Sequence, residues 1–331
     1  MHCNGVGMIT SKGRPLDYLR VSLTPKCNFN CIYCMPDEYD LPGTDQALSS
    51  QEWVRLLTYF ITRQGIKTIR FTGGEPLLSP QLEPILEGIR PFDIDSSVTT
   101  NAFLLEAKAE KLKMLGLKRL NISLDTLDAN TFKRISARGS LAKVLRGIEK
   151  SMEVGFKRIK INSLLLRGIN DSECVDLVRW AMDRDLEIRF MELMSIGVMS
   201  SQSVNYRITT HEVRDRLSKH FTIRPTKRPK GSPATTYRLT DPQTGKTIPF
   251  GLISPVSDSF CSDCRRLRIN YKGELIPCLM HDSGLDLKPL ARGQKDAYPE
   301  GLYAALMQCA DQKPWSEPIY QAERLMTQIG G

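Results

Sequence analysis

Apolar and β-branched residues recur in six short runs between about Leu16 and Glu192, alternating with longer stretches of helical periodicity. The runs Tyr18–Thr24, Lys67–Thr72, Asp95–Thr100, Lys118–Leu124, Arg158–Leu166 and Leu186–Glu192 predict strands. Helices are predicted over Gln51–Gln64, Gln81–Ile89, Leu105–Leu115, Leu141–Val154 and Ser172–Arg184. Ser49 and Glu52 stand at capping-box spacing before the first helix. Gly65, Gly116 and Gly155 each close a helix where a left-handed cap is wanted.

Strands alternating with helices imply an α/β fold with parallel pairing and right-handed crossovers. An open doubly wound sheet and a (β/α)6 barrel both fit the pattern. A second region follows Ile208, so residues 1–208 and 209–331 are expected to form two domains. Thr209 and Glu212 can cap a helix to about Lys219, and the proline-broken basic stretch Arg224–Pro233 reads as an exposed loop. Strands are expected at Thr235–Leu239, Lys246–Ile253, Leu267–Tyr271 and Glu274–Cys278, the last two as a hairpin around Lys272-Gly273.

A chain of 331 residues, 41% hydrophobic and 25% charged, has room for one large α/β domain and a smaller one. It has no apolar run of about eighteen residues to predict a membrane span. Its opening, M-H-C-N-G-V-G-M-I-T-S-K-G-R, lacks a signal-peptide core. A cytoplasmic protein without membrane association is therefore expected, where thiols stay reduced. The odd total of nine cysteines also argues against a disulfide framework. The net charge of +9 points to an anionic partner. Nucleic acid and a polyphosphate nucleotide satisfy the charge equally well.

Six cysteines sort into two groups, Cys27/Cys31/Cys34 and Cys261/Cys264/Cys278, leaving Cys3, Cys174 and Cys309 alone. Structural zinc takes four ligands, and two groups of three fit one such ion poorly. They suit two iron–sulfur clusters, each held by three thiolates with one iron open. Polar residues also collect where the predicted strands end. The first strand leads into the cysteine loop, the second into T-G-G-E-P (Thr72–Pro76) and the third into T-T-N (Thr99–Asn101). Asn121, Ser123 and Asp125 lie on the fourth, Lys160 and Asn162 on the fifth, and R-F-M-E-L-M (Arg189–Met194) on the sixth. Singly each has a plainer reading: Gly73-Gly74 as a turn, Lys160 as a snorkelling side chain, Met194 as packing. Together they occupy the rim on which α/β folds build active sites.

The pattern C-x3-C-x2-C, with Tyr33 before the last cysteine and G-G-E-P following, resembles the radical S-adenosylmethionine (SAM) superfamily. The resemblance implies a [4Fe–4S] cluster on three thiolates, its fourth iron chelated by the amino and carboxylate groups of SAM. One electron then cleaves SAM to methionine and a 5′-deoxyadenosyl radical. Further along, F-C-S-D-C-R-R-L-R (Phe260–Arg268), Cys278 and the terminal Gly330-Gly331 resemble the GTP 3′,8-cyclases of molybdenum-cofactor biosynthesis. This resemblance runs from about Arg20 to the C-terminus.

The resemblance implies an incomplete (β/α)6 radical SAM barrel with a C-terminal α+β domain carrying a second cluster. Its cofactors would be two [4Fe–4S] clusters and SAM. Cys27, Cys31 and Cys34 would bind the first cluster, and Cys261, Cys264 and Cys278 the second. Tyr33, Gly74, Ser123 and Met194 would contact SAM. Arg20, Arg70, Thr99, Lys160, Arg266, Leu267 and Arg268 would hold GTP, with Arg266 and Arg268 catalytic. The radical would take the C3′ hydrogen of GTP, and C3′ would attack C8 of guanine. The family further implies a homodimer and a one-electron donor such as flavodoxin or ferredoxin. Its product would pass to a cyclic pyranopterin monophosphate synthase.

This sequence departs from the family pattern at Arg265, where Asn is common, at Ala102, where Gly is usual, and at Pro25-Lys26, where an Asp is frequent. No ligand cysteine is lost. Two other classes remain for comparison. Radical SAM peptide-maturing enzymes carry more C-terminal cysteines than the four after Cys174 here. A zinc-stabilised nucleic-acid binder would interleave aromatics with its basic residues, and no stretch does.

Overall fold

The computed structural model describes residues 7–36, 47–199, 202–281, 284–294, 297–298 and 301–316. A hairpin of β1 (Met8–Ile9) and β2 (Pro15–Leu16) precedes β3 (Tyr18–Ser22). Strand and helix then alternate through α1 (Ser50–Gln64), β4 (Thr68–Thr72), α2 (Leu82–Ile89), β5 (Asp95–Thr100), α3 (Leu105–Met114) and β6 (Arg119–Ser123). Two helices, α4 (Ala129–Ser136) and α5 (Leu141–Glu153), lead to β7 (Ile159–Leu164), α6 (Cys174–Asp183) and β8 (Glu187–Met191). All six predicted strands form, each within a few residues of its predicted bounds.

The first helix shows why these elements form where they do. Trp53, Leu56, Leu57, Phe60 and Ile61 are buried along one face, at helical spacing. Ser49 and Glu52 make the reciprocal capping box, and Gly65 closes the helix at φ 66. Sequence reading missed α4, although Asp128 accepts from the Thr131 amide as an ordinary N-cap.

Beyond β8 come α7 (Ser203–Tyr206), α8 (Thr210–Ser218), β9 (Thr222–Pro225), β10 (Ala234–Thr240) and β11 (Thr247–Ile253). Then β12 (Arg266–Ile269), β13 (Glu274–Ile276), β14 (Leu285–Asp286), α9 (Lys288–Ala291) and α10 (Leu302–Asp311) complete the described chain. The hairpin β12–β13 turns at Gly273, with φ 82, as expected. The stretch read as a loop from Arg224 starts instead inside β9, which pairs Arg224 with Arg238. Pro225 is tolerated there because β9 is an edge strand and owes no donor on its outer side. The helix α10 had no visible start signal: it begins after Gly301 without a side-chain cap.

One sheet contains twelve strands in the order β14-β13-β12-β3-β4-β5-β6-β7-β8-β11-β10-β9. Its six central strands are parallel and adjacent in chain order. A doubly wound sheet reverses its order at a switch point, so the arrangement is that of an open barrel. The C-terminal strands join both edges, β12 beside β3 and β11 beside β8, each in parallel. The core lies between sheet and helices, with Trp53, Phe60, Phe71, Phe190 and Phe250 fully buried. Each contributes roughly 1.5–3 kcal/mol of apolar burial.

Candidate active site

Register places charge across the inner face of this sheet. Arg268 on β12 pairs with Arg20 on β3, and Arg20 pairs with Arg70 on β4. Further along, Thr99 pairs with Asn121, and Asn162 with Arg189. Gly251 stands opposite Arg189, and a Cβ there would meet the Arg189 side chain at 3.0 Å. Because alternate residues of a strand face opposite ways, Leu267 points into the core between Arg266 and Arg268 and is fully buried.

Asn162 and Arg189 line a cavity of about 380 Å³ together with both cysteine groups, Cys27, Cys31, Cys34, Cys261, Cys264 and Cys278. Tyr33, Gly74, Ser123, Met194, Arg20, Arg70, Thr99, Arg266 and Arg268 line it as well. Two expected site residues are not among the lining. Leu267 is one, and Lys160 is the other, held in an ion pair with Glu187 at 3.0 Å. Burial and then Arg189 bring the Lys160 ammonium down to about 8.

The cysteine loop is anchored from several sides. Phe29 packs edge-on against Phe103 and Phe132, with ring centroids 5.8 and 5.9 Å away. The amides of Asn30 and Ile32 donate to Ser136 and Ile135 at the end of α4, both at 3.0 Å. The Gly74 amide donates to Thr24 O at 2.7 Å, and the Glu75 amide to Lys26 O at 2.8 Å. A Cβ at Gly73 or Gly74 would collide with Thr24 or Lys26 backbone. The glycine pair thus lets the loop leading into Cys27 pass close by, and Gly74 also lines the cavity.

Three cavity carboxylates are occupied by donors other than the arginines. Glu75 accepts from Thr100 Oγ1 and the Asn101 amide at 2.8 Å and from the Leu77 amide at 3.0 Å. Asp125 accepts from the Tyr33 hydroxyl at 2.7 Å and the Leu164 amide at 2.8 Å. Glu192 accepts from the amides of Thr210 and Ser257 at 2.9 and 3.0 Å. Arg20 also lies close enough to Arg268, Arg70 and Arg266 to be repelled by them. Burial, then Arg268 and Arg70, depress the Arg20 guanidinium far below its ordinary value. Burial and Arg266 bring Arg268 down to about 10. Like charges crowded out of water favour an anionic ligand between them. Arg70 Nε and Thr99 Oγ1 are buried with no hydrogen-bond partner among the described residues, and both residues line the cavity.

The two thiol groups differ. Burial pushes Cys27 up to about 11 and Cys34 up to about 12. Cys264 is buried too, yet Arg266 and Lys313 overcome the burial and bring it down to about 6. Arg266 Nε donates to Cys264 Sγ at 3.3 Å. Among the described residues no three His, Cys, Asp or Glu side chains converge on one metal-ion position. Soft thiolates in groups of three, beside a shared cavity, fit iron–sulfur clusters by donor chemistry.

Arg265 turns away from the cavity and pairs with Asp17 at 3.0 Å, tying the second cysteine segment to the start of β3. Sequence reading did not single out Lys313, which lies 5% exposed on the cavity wall. Only its place after α10 brings it there, and no motif marks it.

A model of the radical SAM superfamily matches residues 21–181, and one described as Molybdenum Cofactor Synthesis C matches 186–318. A GTP 3′,8-cyclase from Marinobacter nauticus is 36% identical over 96% of this chain and 97% of its own. Another from Clostridium botulinum is 35% identical over 98% of this chain and all of its own. The chain is a radical SAM protein of the GTP 3′,8-cyclase family. The solved structure of Streptococcus suis SuiB bound to precursor peptide SuiA shares the fold, with a TM-score of 0.63 and 15% identity. It covers 88% of this chain and 66% of that one. As a radical SAM protein, this one takes a [4Fe–4S] cluster and SAM. No helix among the described residues is long and apolar enough to cross a membrane.

Proposed function

We propose that the protein converts GTP to (8S)-3′,8-cyclo-7,8-dihydroguanosine 5′-triphosphate, the first step of molybdenum cofactor biosynthesis. The observation that carries this is one cavity shared by two thiol triplets and a row of buried arginines. Cys27, Cys31 and Cys34 would hold the cluster that binds SAM, and Cys261, Cys264 and Cys278 would hold a second [4Fe–4S] cluster. When bound, the first cluster supplies the electron that cleaves SAM and so the radical chemistry at C3′ of GTP.

The chain's own residues position and shield. Tyr33, Gly74, Ser123 and Met194 hold SAM. Arg20, Arg70, Arg266 and Arg268 offer forked donors to the triphosphate, whose charge relieves their mutual repulsion. Thr99 adds its unpartnered hydroxyl. Arg266 and Arg268 serve the reaction itself by fixing the ribose and stabilising charge that develops on the nucleotide. Lys160 reaches phosphate only by leaving Glu187, and Leu267 contributes through its backbone. Phe260, Lys313 and Pro314 from the C-terminal region close the cavity wall, excluding water from the intermediates. Residues 1–208 would form the barrel and 209–331 the second domain. Gly330-Gly331 lies outside the described residues. The protein would work as a cytoplasmic homodimer, with a flavodoxin or ferredoxin as electron donor and a cyclic pyranopterin monophosphate synthase as the consumer of product.

Anaerobic reconstitution, reduction and addition of SAM with GTP or with peptide test this. The expected result is about eight irons per chain and 5′-deoxyadenosine that forms only with GTP. Zinc in place of iron, or SAM cleavage driven by peptide instead of GTP, overturns it.

A further inference from the structure

Two buried cations stand beside the second thiol group, and the nucleotide row does not use them. Lys313 is 5% exposed and lines the cavity. Its Nζ donates to the carbonyl of Pro277, one residue before Cys278, at 3.0 Å. The ammonium hydrogen-bonds the Cys264 sulfur and faces Cys278, and no carboxylate among the described residues pairs with it. Arg14 is 3% exposed, and its charge faces the same cysteines.

The segment bearing Lys313 is clamped on both sides by the N-terminal hairpin. The Ser11 amide donates to Asp311 Oδ1 at 2.7 Å. Arg14 Nη1 donates to Pro314 O at 3.0 Å, and its guanidinium lies 4.0 Å over the Trp315 ring. Nε and Nη2 of Arg14 have no hydrogen-bond partner among the described residues.

Burying an ammonium is unfavourable unless an anion lies beside it, and the groups beside Lys313 are cysteine sulfurs. It becomes favourable where a bound anion supplies the charge. A [4Fe–4S] cluster on three thiolates is net negative, and more so by one charge when reduced. A fixed cation nearby stabilises the reduced state more than the oxidised one.

We propose that Lys313 is a positioning residue for the second cluster, balancing its charge and raising its reduction potential, and that Arg14 holds the Lys313 segment in place. This rests on the reading of Cys261, Cys264 and Cys278 as a cluster site. Lys313 thus connects the segment after α10 to the cofactor by charge, and the β1–β2 hairpin serves as its brace.

The test uses full-length protein carrying Cys27→Ala, Cys31→Ala and Cys34→Ala, so that the iron remaining reports the second group. The parent should hold about four irons per chain. Lys313→Met should move the midpoint potential, followed by electron paramagnetic resonance, to a more negative value. Lys313→Arg should restore it. Loss of iron in Lys313→Met with retention in Lys313→Arg supports the same role. An unchanged midpoint with full iron overturns it. So does equal loss of iron from both variants with native circular dichroism, which would make the site one of shape rather than charge. If Lys313→Met does not fold, Lys313→Gln is read by the same outcomes. A parent without iron removes the second-cluster reading and this inference with it. A parent with iron and an unmoved midpoint removes the inference alone.

Discussion

The Tyr33 hydroxyl donates to Asp125 Oδ2 over 2.7 Å, joining the first cysteine loop to the end of β6. The other Asp125 oxygen accepts the Leu164 amide, at 2.8 Å, so one carboxylate ties three segments of the rim together. Asp125→Ala leaves two buried donors without acceptors, which costs about 1–3 kcal/mol. A lower urea midpoint and a raised KM for SAM are expected. Asp125→Asn keeps an acceptor for one of the donors and should lose less. Wild-type KM in Asp125→Ala would show that Tyr33 needs no such anchor.

Gly74 is a matter of room rather than of φ. An added Cβ meets the Lys26 carbonyl and pushes on the loop that begins at Cys27. Gly74→Ala should cost about 1–3 kcal/mol and remove iron from the first cluster. Gly155→Ala is the contrast: nothing lies near its Cβ, but its φ is 83. It should cost about 1 kcal/mol through backbone strain alone, with iron content unchanged. Iron analysis of the two variants separates them.

Arg70 and Lys160 were both expected to hold nucleotide, and the structure treats them differently. Arg70 lines the cavity with an unpartnered Nε, whereas Lys160 is paired with Glu187. Arg70→Met should raise KM for GTP about tenfold to a hundredfold. Lys160→Met should raise it less than about fivefold. The reverse ranking would mean that Lys160 exchanges Glu187 for phosphate in the bound state.

Glu75 should give the unloaded protein a pH signature. Burial pushes its carboxyl up to about 7 against the pull of the Asn101 and Leu77 amides and the Thr100 hydroxyl. Unfolded, it ionises near about 4.3. The folded state therefore holds this proton more tightly. Its contribution to stability is fully present below about 4.3 and is lost as pH rises through about 7, roughly 4 kcal/mol in all. Urea unfolding at about pH 5 and about pH 7.5 should show a smaller difference for Glu75→Gln than for wild type. Equal differences would refute the assignment.

The alternation of strand and helix was legible because each central strand carries its own apolar or β-branched run and each helix its own buried face, with Ser49, Glu52 and Gly65 also marking the ends of α1. The cysteine spacing and the rim motifs were legible for the same reason: they are local. β9 was misread because a proline at a sheet edge is permitted, and only pairing reveals an edge. Lys313 escaped notice because nothing local distinguishes a lysine that the chain will bury.

By itself the sequence determined the elements, the two sets of thiols and the residues able to bind an anion, since propensity, capping and ligand chemistry act over a few neighbouring positions. Only the tertiary structure decided between a doubly wound sheet and an open barrel, because strand order depends on pairings distant in the chain. It alone set Arg268, Arg20 and Arg70 side by side, withdrew Lys160 toward Glu187, and brought Lys313 to the second thiol group. Register, burial and charge pairing are properties of the assembled fold, in which residues 300 positions apart become neighbours, as Ser11 and Asp311 are.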